Sequence, residues 1–137
     1  MDDKLLAVLI GVMFGALGYW VATFWMKPLL QYREIRSKIL IDLIFYAQVT
    51  NADGLNERMK ALYEDRVVSN RRLSSELTAC LLELPFWYTW WLVRIRRQIP
   101  ERAAIDLIGF SNTTEFVEGT KRVDRIKTAL GFKSEVV

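Results

Sequence analysis

The chain has 137 residues, of which 52% are apolar and 26% are charged, and its formal net charge at pH 7 is +3. This length allows one domain, and the composition excludes a disordered chain, a collagen-like repeat and a disulfide scaffold. Because the sequence contains no histidine and a single cysteine, Cys80, it lacks the residues for a typical zinc site, a Ser-His-Asp triad or a Cys-His dyad.

An uncharged apolar segment runs from Leu5 to Met26. These residues would form a helix of about 33 Å, which is enough to cross a hydrocarbon core of about 30 Å. The preceding residues 1–4 include two aspartates and one lysine, unlike the basic start of a cleaved signal peptide. We therefore predict a transmembrane anchor over residues 1–27.

The C-terminal end of this segment carries the residues of a membrane interface. Trp20 and Trp25 fit an aromatic belt, and Lys27 can extend its ammonium group to the headgroups. Basic residues are more frequent after the segment than before it, so the positive-inside rule places the N-terminus outside and residues 28–137 in the cytoplasm.

Small residues recur every four positions within the predicted span, at Ala7, Gly11 and Gly15. This spacing is typical of helices whose backbones approach closely in lipid, and it predicts a homo-oligomer formed through the transmembrane helix. The alternative is a strip that contacts no other helix, because glycine and alanine are common in membrane spans.

A second helix is predicted to begin at Pro28, since proline is favoured in a first helical turn. Apolar positions follow at helical spacing: Tyr32, Ile35, Ile39, Leu43 and Tyr46. The stretch 39–47 is apolar on all sides except at Asp42, so we expect it to be buried on most sides. Asp42 is expected to pair with Lys38 or with an arginine of another helix, and a functional carboxylate is the alternative.

The residues Asn51 to Gly54 have the chemistry of a turn, and a long helix is predicted from about Leu55 to Leu84. Its arginines are interspersed with acidic residues, which favours a solvated face over a nucleic-acid surface. We therefore expect no nucleic-acid partner.

Residues 84–97 combine five aromatic residues with three arginines. Charge counting argues against a second membrane crossing there. Two interpretations remain. The segment either lies in the headgroup region, with its tryptophans in the interface and its arginines near lipid phosphates, or forms part of a core or partner-binding cluster. The residues concerned are Trp87, Trp90, Trp91, Arg94, Arg96 and Arg97.

The remaining sequence predicts two more helices. The first begins at Pro100, is interrupted at residues 109–113, and is expected to bury four residues: Ala104, Ile105, Leu107 and Ile108. The second has capping-box spacing between Asn112 and Glu115 and ends at Gly131. Its apolar positions are Phe116, Val123, Ile126 and Leu130, and residues 132–137 are predicted to be loose. The expected fold is thus all-α, one transmembrane helix followed by a cytoplasmic helical bundle.

Three segments follow the predicted span in a characteristic order: a juxtamembrane helix at residues 31–39, the aromatic segment beginning at Leu84, and a late element at residues 107–112. In this order the chain resembles small bacterial single-pass membrane proteins of uncharacterised function. The resemblance implies a bacterial inner (plasma) membrane and transfers no catalytic residue.

No constellation of residues predicts catalysis, a cofactor or a metal site. The acids Asp42, Glu83 and Asp106 are single, and no glycine-rich loop is available for phosphate. We therefore expect a non-enzymatic adaptor or regulator that holds an unknown cytoplasmic protein at the membrane. The alternative hypothesis is a self-associating effector of toxin or defence type that permeabilises the bilayer.

Overall fold

A computed structural model describes residues 2–49 and 54–133, and the described chain is all α-helical, as predicted. Its elements are α1 (Asp3–Val21), a π-helical turn (Ala22–Met26), α2 (Lys27–Phe45), a 3-10 turn (Ala47–Val49), α3 (Glu57–Glu83), α4 (Phe86–Arg94), α5 (Pro100–Asn112) and α6 (Phe116–Ala129).

The first two helices and the π turn form one continuous helix, Asp3–Phe45, of 43 residues. Its N-terminal part is long and apolar enough to cross a membrane. The expected length and apolar character of this helix are thus confirmed. No residue of α1 is buried by the rest of the chain. In this respect α1 differs from the core helix of a soluble bundle.

Helix α2 begins at Lys27 with Pro28 in its first turn, as predicted, but it continues α1 and the π turn without a break. Proline cannot donate the usual hydrogen bond to the fourth residue before it, and its ring crowds that carbonyl. The π turn relieves this conflict by lengthening the backbone pairing, so that the Lys27 amide donates to the carbonyl of Ala22, five residues earlier.

Helix α3 packs antiparallel to α2 and returns to the level of Pro28, at the start of α2. At the middle of α3, the Ser69 hydroxyl donates to the carboxylate of Asp42. Near its end, the Cys80 thiol lies 3.9 Å from the carbonyl oxygen of Pro28. With 27 residues, α3 is about 40 Å long and exceeds α2 by about 12 Å.

Helix α5 runs antiparallel to α3, and α6 runs back along α5. The Ser74 hydroxyl donates to the carbonyl of Ala104 at 2.7 Å, and Arg122 of α6 pairs with Asp106 of α5 at 3.5 Å. The core lies between these helices, α2 and α4, and its apolar members that are at most 3% exposed include Tyr32, Ile39, Leu77, Leu92, Leu107, Phe110, Ile126 and Leu130.

The expected burial of stretch 39–47 on most sides was wrong. Ile41, Ile44 and Phe45 are 62%, 46% and 58% exposed. Only the face that contains Tyr32, Ile35, Ile39 and Leu43 is buried. The reason is that α3 covers one side of α2 and leaves the opposite side of stretch 39–47 open. Tyr46, predicted to continue the stripe, follows the helix and is half-buried.

The predicted buried faces of the last two helices also need correction. Ile105, Ile108 and Phe116 are exposed. Ala104 and Leu107 are buried as predicted, and α5 also buries Ala103 and Phe110. These four lie on one face of α5, toward α3 and α6, and Ile105 and Ile108 therefore face outward.

The ends of the helices agree in part with the sequence. Helix α3 begins at Glu57 after Asn56, whose side chain accepts a hydrogen bond from the Met59 amide, and Gly54 has a positive φ of 69°. The rest of the predicted turn, residues 51–53, lies outside the described residues. Residues 109–112 continue α5, so the predicted interruption was wrong.

The predicted capping box was also wrong, because Asn112 ends α5 and its side chain accepts a hydrogen bond from Arg71. Glu115 is the N-cap residue of α6 and makes no side-chain capping bond. Phe132, predicted to be loose, packs against the core beneath Arg36. Residues 134–137 lie outside the described residues.

Candidate functional site

The aromatic segment lies beside the end of the apolar helix. Helix α4 follows α3 after a connection of two residues, Leu84 and Pro85. The rings of Trp25 and Trp87 are 6.0 Å apart in an edge-to-face arrangement. Trp25 also contacts Trp20 one and a half turns earlier. The structure thus joins the two groups of tryptophans that the sequence analysis assigned separately to a membrane interface.

Helix α4 has a buried side and an exposed side. The core interpretation of residues 84–97 therefore holds for one side, and contact of the other side with a membrane interface stays a prediction. Tyr88 and Leu92 belong to the core. Phe86, Trp87 and Trp90 are 87%, 40% and 59% exposed. Trp91 is half-buried and stacks on Tyr88, with ring centroids 5.5 Å apart.

A cleft of about 510 Å³ lies between α2 and α4, and we call it the basic cleft. Its apolar and aromatic lining consists of Met26, Leu29, Leu30, Trp87, Tyr88, Trp91 and Leu92. Its polar lining consists of Tyr32, Arg33, Arg36, Arg96 and Gln98. No acidic residue of the described ranges lines it.

The three arginines of the basic cleft form no ion pair with any Asp or Glu in the described ranges 2–49 and 54–133. Partial burial lowers the pKa of Arg36, and the positive charges of Arg96 and Arg33 lower it further. The nearby Tyr32 oxygen acts in the opposite direction. The cleft therefore concentrates positive charge that the surrounding protein does not neutralise.

The bundle holds Arg36 in a defined position. Its Nε donates to the carbonyl oxygen of Leu130 at 2.7 Å, and its guanidinium lies 4.2 Å from the ring centre of Phe132. Arg96 lies over the ring of Trp91 at 5.6 Å. These contacts orient two cationic groups before any ligand is bound.

The floor of the cleft is a buried neutral hydrogen bond. The Tyr32 hydroxyl donates to Oε1 of Gln98 at 2.8 Å. Burial raises the pKa of Tyr32, although the charge of Arg36 opposes the shift. Burial also raises the pKa of Tyr88. Both phenols therefore stay neutral near pH 7 and add no negative charge to the cleft.

The other two arginines predicted at the interface lie outside the basic cleft. Arg94 and Arg97 are both exposed. Arg97 has a positive φ of 53° and lines a different surface pocket together with Asp106 and Asp124. The six predicted residues of this segment thus divide, and only Trp87, Trp91 and Arg96 join the cleft.

The predicted association strip lies on the exposed surface of α1. Ala7, Gly11 and Gly15 are exposed. A methyl group placed on Gly11 or Gly15 would meet no described atom within 4 Å. Self-association through this strip stays a prediction.

Lys27, which was predicted to extend its ammonium group to the headgroups, is exposed and follows the π turn directly.

The predicted ion pair of Asp42 was wrong. Its carboxylate accepts a hydrogen bond from Ser69, while Lys38 pairs with Glu34 at 3.2 Å. Asp42 therefore links α2 to α3.

Arg33 and Arg36 were used in the sequence analysis only through the positive-inside count of basic residues. Their spacing of three residues places them on neighbouring positions of one helix surface, and this was the available signal. The approach of Arg96 depends on packing between α2 and α4 and has no local signal in the sequence.

Comparisons with known protein families, with curated proteins and with solved structures gave no match to this chain.

Proposed function

We propose that the protein is a non-enzymatic adaptor or regulator, anchored in a bacterial inner membrane by residues 1–27, that holds a cytoplasmic protein at the membrane. The N-terminus would lie outside, and residues 28–137 would form the cytoplasmic helical domain. Basic residues clustered after the apolar segment support this orientation.

An exposed apolar patch far from the span carries this proposal. It consists of Ile41, Ile44 and Phe45, which are 46–62% exposed on the outward side of α2. They lie about 22–28 Å along the helix from Met26, whereas the headgroup layer of one leaflet is about 5–8 Å thick. Lipid is therefore too distant to cover this patch, and a protein surface is the natural occupant.

The alternative, a membrane-perturbing effector, depends on association of the spans. The strip of small residues would permit close helix packing. Leu5 to Met26 contains no charged residue that could line a polar pore. The apolar patch on α2 is also unexplained by that activity, so we favour the adaptor.

Site-specific photocrosslinking in intact cells tests the adaptor function. A photoreactive side chain at Ile44 should yield an adduct with a cytoplasmic protein in the membrane fraction. The same group at Lys60, an exposed polar position of α3, is the control and should not yield it.

Adding Ile41→Glu should remove the adduct from Ile44, because a charge would replace part of the apolar contact. An adduct with a second copy of the chain alone would contradict the adaptor and favour the effector. The absence of any adduct would also contradict the adaptor.

A further inference from the structure

We propose that the basic cleft between α2 and α4 binds one anionic phospholipid, with its phosphate among Arg33, Arg36 and Arg96 and its acyl chains beside Met26, Leu29 and Leu30. This inference rests on the membrane anchor of the proposed function. It adds a specific lipid site to a segment for which the sequence indicates only general contact with the interface.

The distribution of polarity in the cleft matches such a lipid. Met26, Leu29, Leu30 and Trp87 lie toward the apolar helix and offer a surface to hydrocarbon. The arginines line the other part of the cleft, which is farther from the apolar helix. An amphiphile with an anionic end and an apolar end can contact both parts at once.

The depth of the cleft also agrees. Arg33 and Arg36 follow Met26 by seven and ten residues, or about 10 and 15 Å along a helix. The headgroup layer of one leaflet accounts for about 5–8 Å, and an arginine side chain extends back toward it. A phosphate drawn to the edge of the bilayer would therefore be within reach of the guanidinium groups.

Charge and preorganisation favour an anion at this position. Three guanidinium groups share the cleft without an acidic partner among the described residues. Arg36 is already fixed through Leu130 and Phe132. Guanidinium groups bind phosphate through paired hydrogen bonds, and a bound phosphate would reduce their mutual repulsion. The volume of about 510 Å³ lies in the range of sites that hold small ligands.

Native mass spectrometry of the full chain in mild detergent tests the site. Titration with phosphatidylglycerol should show one bound lipid with higher affinity than phosphatidylcholine. Arg33→Gln combined with Arg96→Gln should weaken phosphatidylglycerol binding about 30-fold, since each arginine near an anionic lipid contributes roughly fivefold. Neither side chain makes a described hydrogen bond to the bundle, so both can be replaced without removing such a bond.

The matched control is Arg94→Gln combined with Arg97→Gln, which removes the same charge from the same segment outside the cleft. It should leave phosphatidylglycerol binding within about twofold of the original chain. Equal weakening by both pairs would overturn the proposal in favour of diffuse attraction to the surface. Equal affinity for the two lipids would also overturn it.

Inorganic phosphate distinguishes the lipid from a soluble anion, because it carries the charge without the acyl chains. Phosphate that displaces the lipid at comparable concentration would overturn the lipid assignment. Alkaline carbonate extraction reports the anchor separately. Release of the chain into the soluble fraction would contradict the membrane anchor, whereas a retained chain without lipid selectivity would contradict the site alone.

Discussion

Arg66 is completely buried and forms no ion pair with any acidic residue in the part of the chain that the structure describes. Its two terminal nitrogens donate to the carbonyl oxygens of Phe110 and Thr113 at 3.3 and 3.4 Å. These carbonyls lie at the C-terminal end of α5, where the helix dipole favours a cation. The Phe110 carbonyl also accepts a hydrogen bond from the Thr113 amide. Arg66 thus caps α5 from the neighbouring helix.

The surroundings of Arg66 explain how the bundle tolerates this charge. The guanidinium lies between two rings, with centres of Tyr63 and Phe110 at 4.7 and 4.1 Å. Burial lowers the pKa of Arg66, although Tyr63 opposes this shift. The aromatic faces and the two carbonyls together replace part of the lost hydration.

We predict that Arg66→Met destabilises the full chain by about 1–3 kcal/mol. Methionine retains much of the apolar packing, but both carbonyls lose a charged donor. The matched control is Arg72→Met, because Arg72 is an exposed residue of α3 whose ion-pair partner among the described residues is Glu76. This change should cost less than about 0.5 kcal/mol.

Cys80 provides the measurement for these variants. It is the only cysteine, it is buried, and burial raises the pKa of its thiol. Native chains in detergent should therefore react slowly with an alkylating reagent, and unfolding should expose the thiol. Equal shifts of the denaturant midpoint of alkylation for Arg66→Met and Arg72→Met would contradict the capping role.

At the scale of whole elements, local chemistry in the sequence predicted the ends of several helices well. Gly131 was predicted to end α6, and the structure shows a complete Schellman motif there. The amides of Gly131 and Phe132 donate to the carbonyls of Thr128 and Lys127, and Gly131 has a φ of 75°. Pro100 likewise begins α5 as predicted.

Features that depend on contacts between distant segments could not be read from the sequence. The π turn before Pro28 has no distinct periodicity, so the sequence indicated a new helix. The exposed and buried sides of stretch 39–47 are equally apolar, and only the position of α3 distinguishes them. The basic cleft joins residues of α2 and α4 that are about sixty positions apart in the chain.

The end of α6 supports a prediction that separates backbone strain from close packing. A methyl group added to Gly131 would lie 2.9 Å from Cγ of Gln98, the residue that accepts the Tyr32 hydrogen bond. Gly131→Ala should therefore cost about 1–2 kcal/mol for the left-handed backbone and about 1 kcal/mol more for displacement of Gln98.

Gly54→Ala is the matched control, because Gly54 also has a positive φ but its added methyl group would meet no described atom within 4 Å. In detergent, Gly131→Ala should unfold at a lower temperature than Gly54→Ala. Equal unfolding temperatures would show that Gln98 yields without cost.

At the scale of the whole molecule, the continuous helix Asp3–Phe45 connects two environments. Its N-terminal part is apolar and uncovered by the chain, while α2 is covered on one side by the bundle. Helix α3 returns to the level of Pro28 and thereby places α4 beside the apolar helix. Exposed apolar residues therefore form two groups, one on α4 and one at the far end of α2. The near group includes Phe86 and Trp87. In the orientation that we propose, the headgroups would reach this group and would not reach Ile41 and Ile44.

Whether the chain acts alone depends on the exposed strip of α1. Gly11→Ile or Gly15→Ile introduces a side chain where no described atom of the chain lies within 4 Å of the new Cβ. Its effect should therefore report on a neighbouring helix in the membrane. We predict that either change weakens self-association by about 1 kcal/mol or more, as overpacking separates backbones that approach closely.

Val12→Ile is the control for this prediction, because it adds a methylene group to another side of the same helix and leaves the apolar character intact. Energy transfer between labelled full chains in vesicles measures association over a range of dilutions in lipid. If only the two glycine variants lose energy transfer, the helices contact one another through the strip of Ala7, Gly11 and Gly15. This result would favour assembly of the spans. Unchanged transfer in all three variants would assign any assembly to the cytoplasmic helices and remove the main support for the effector.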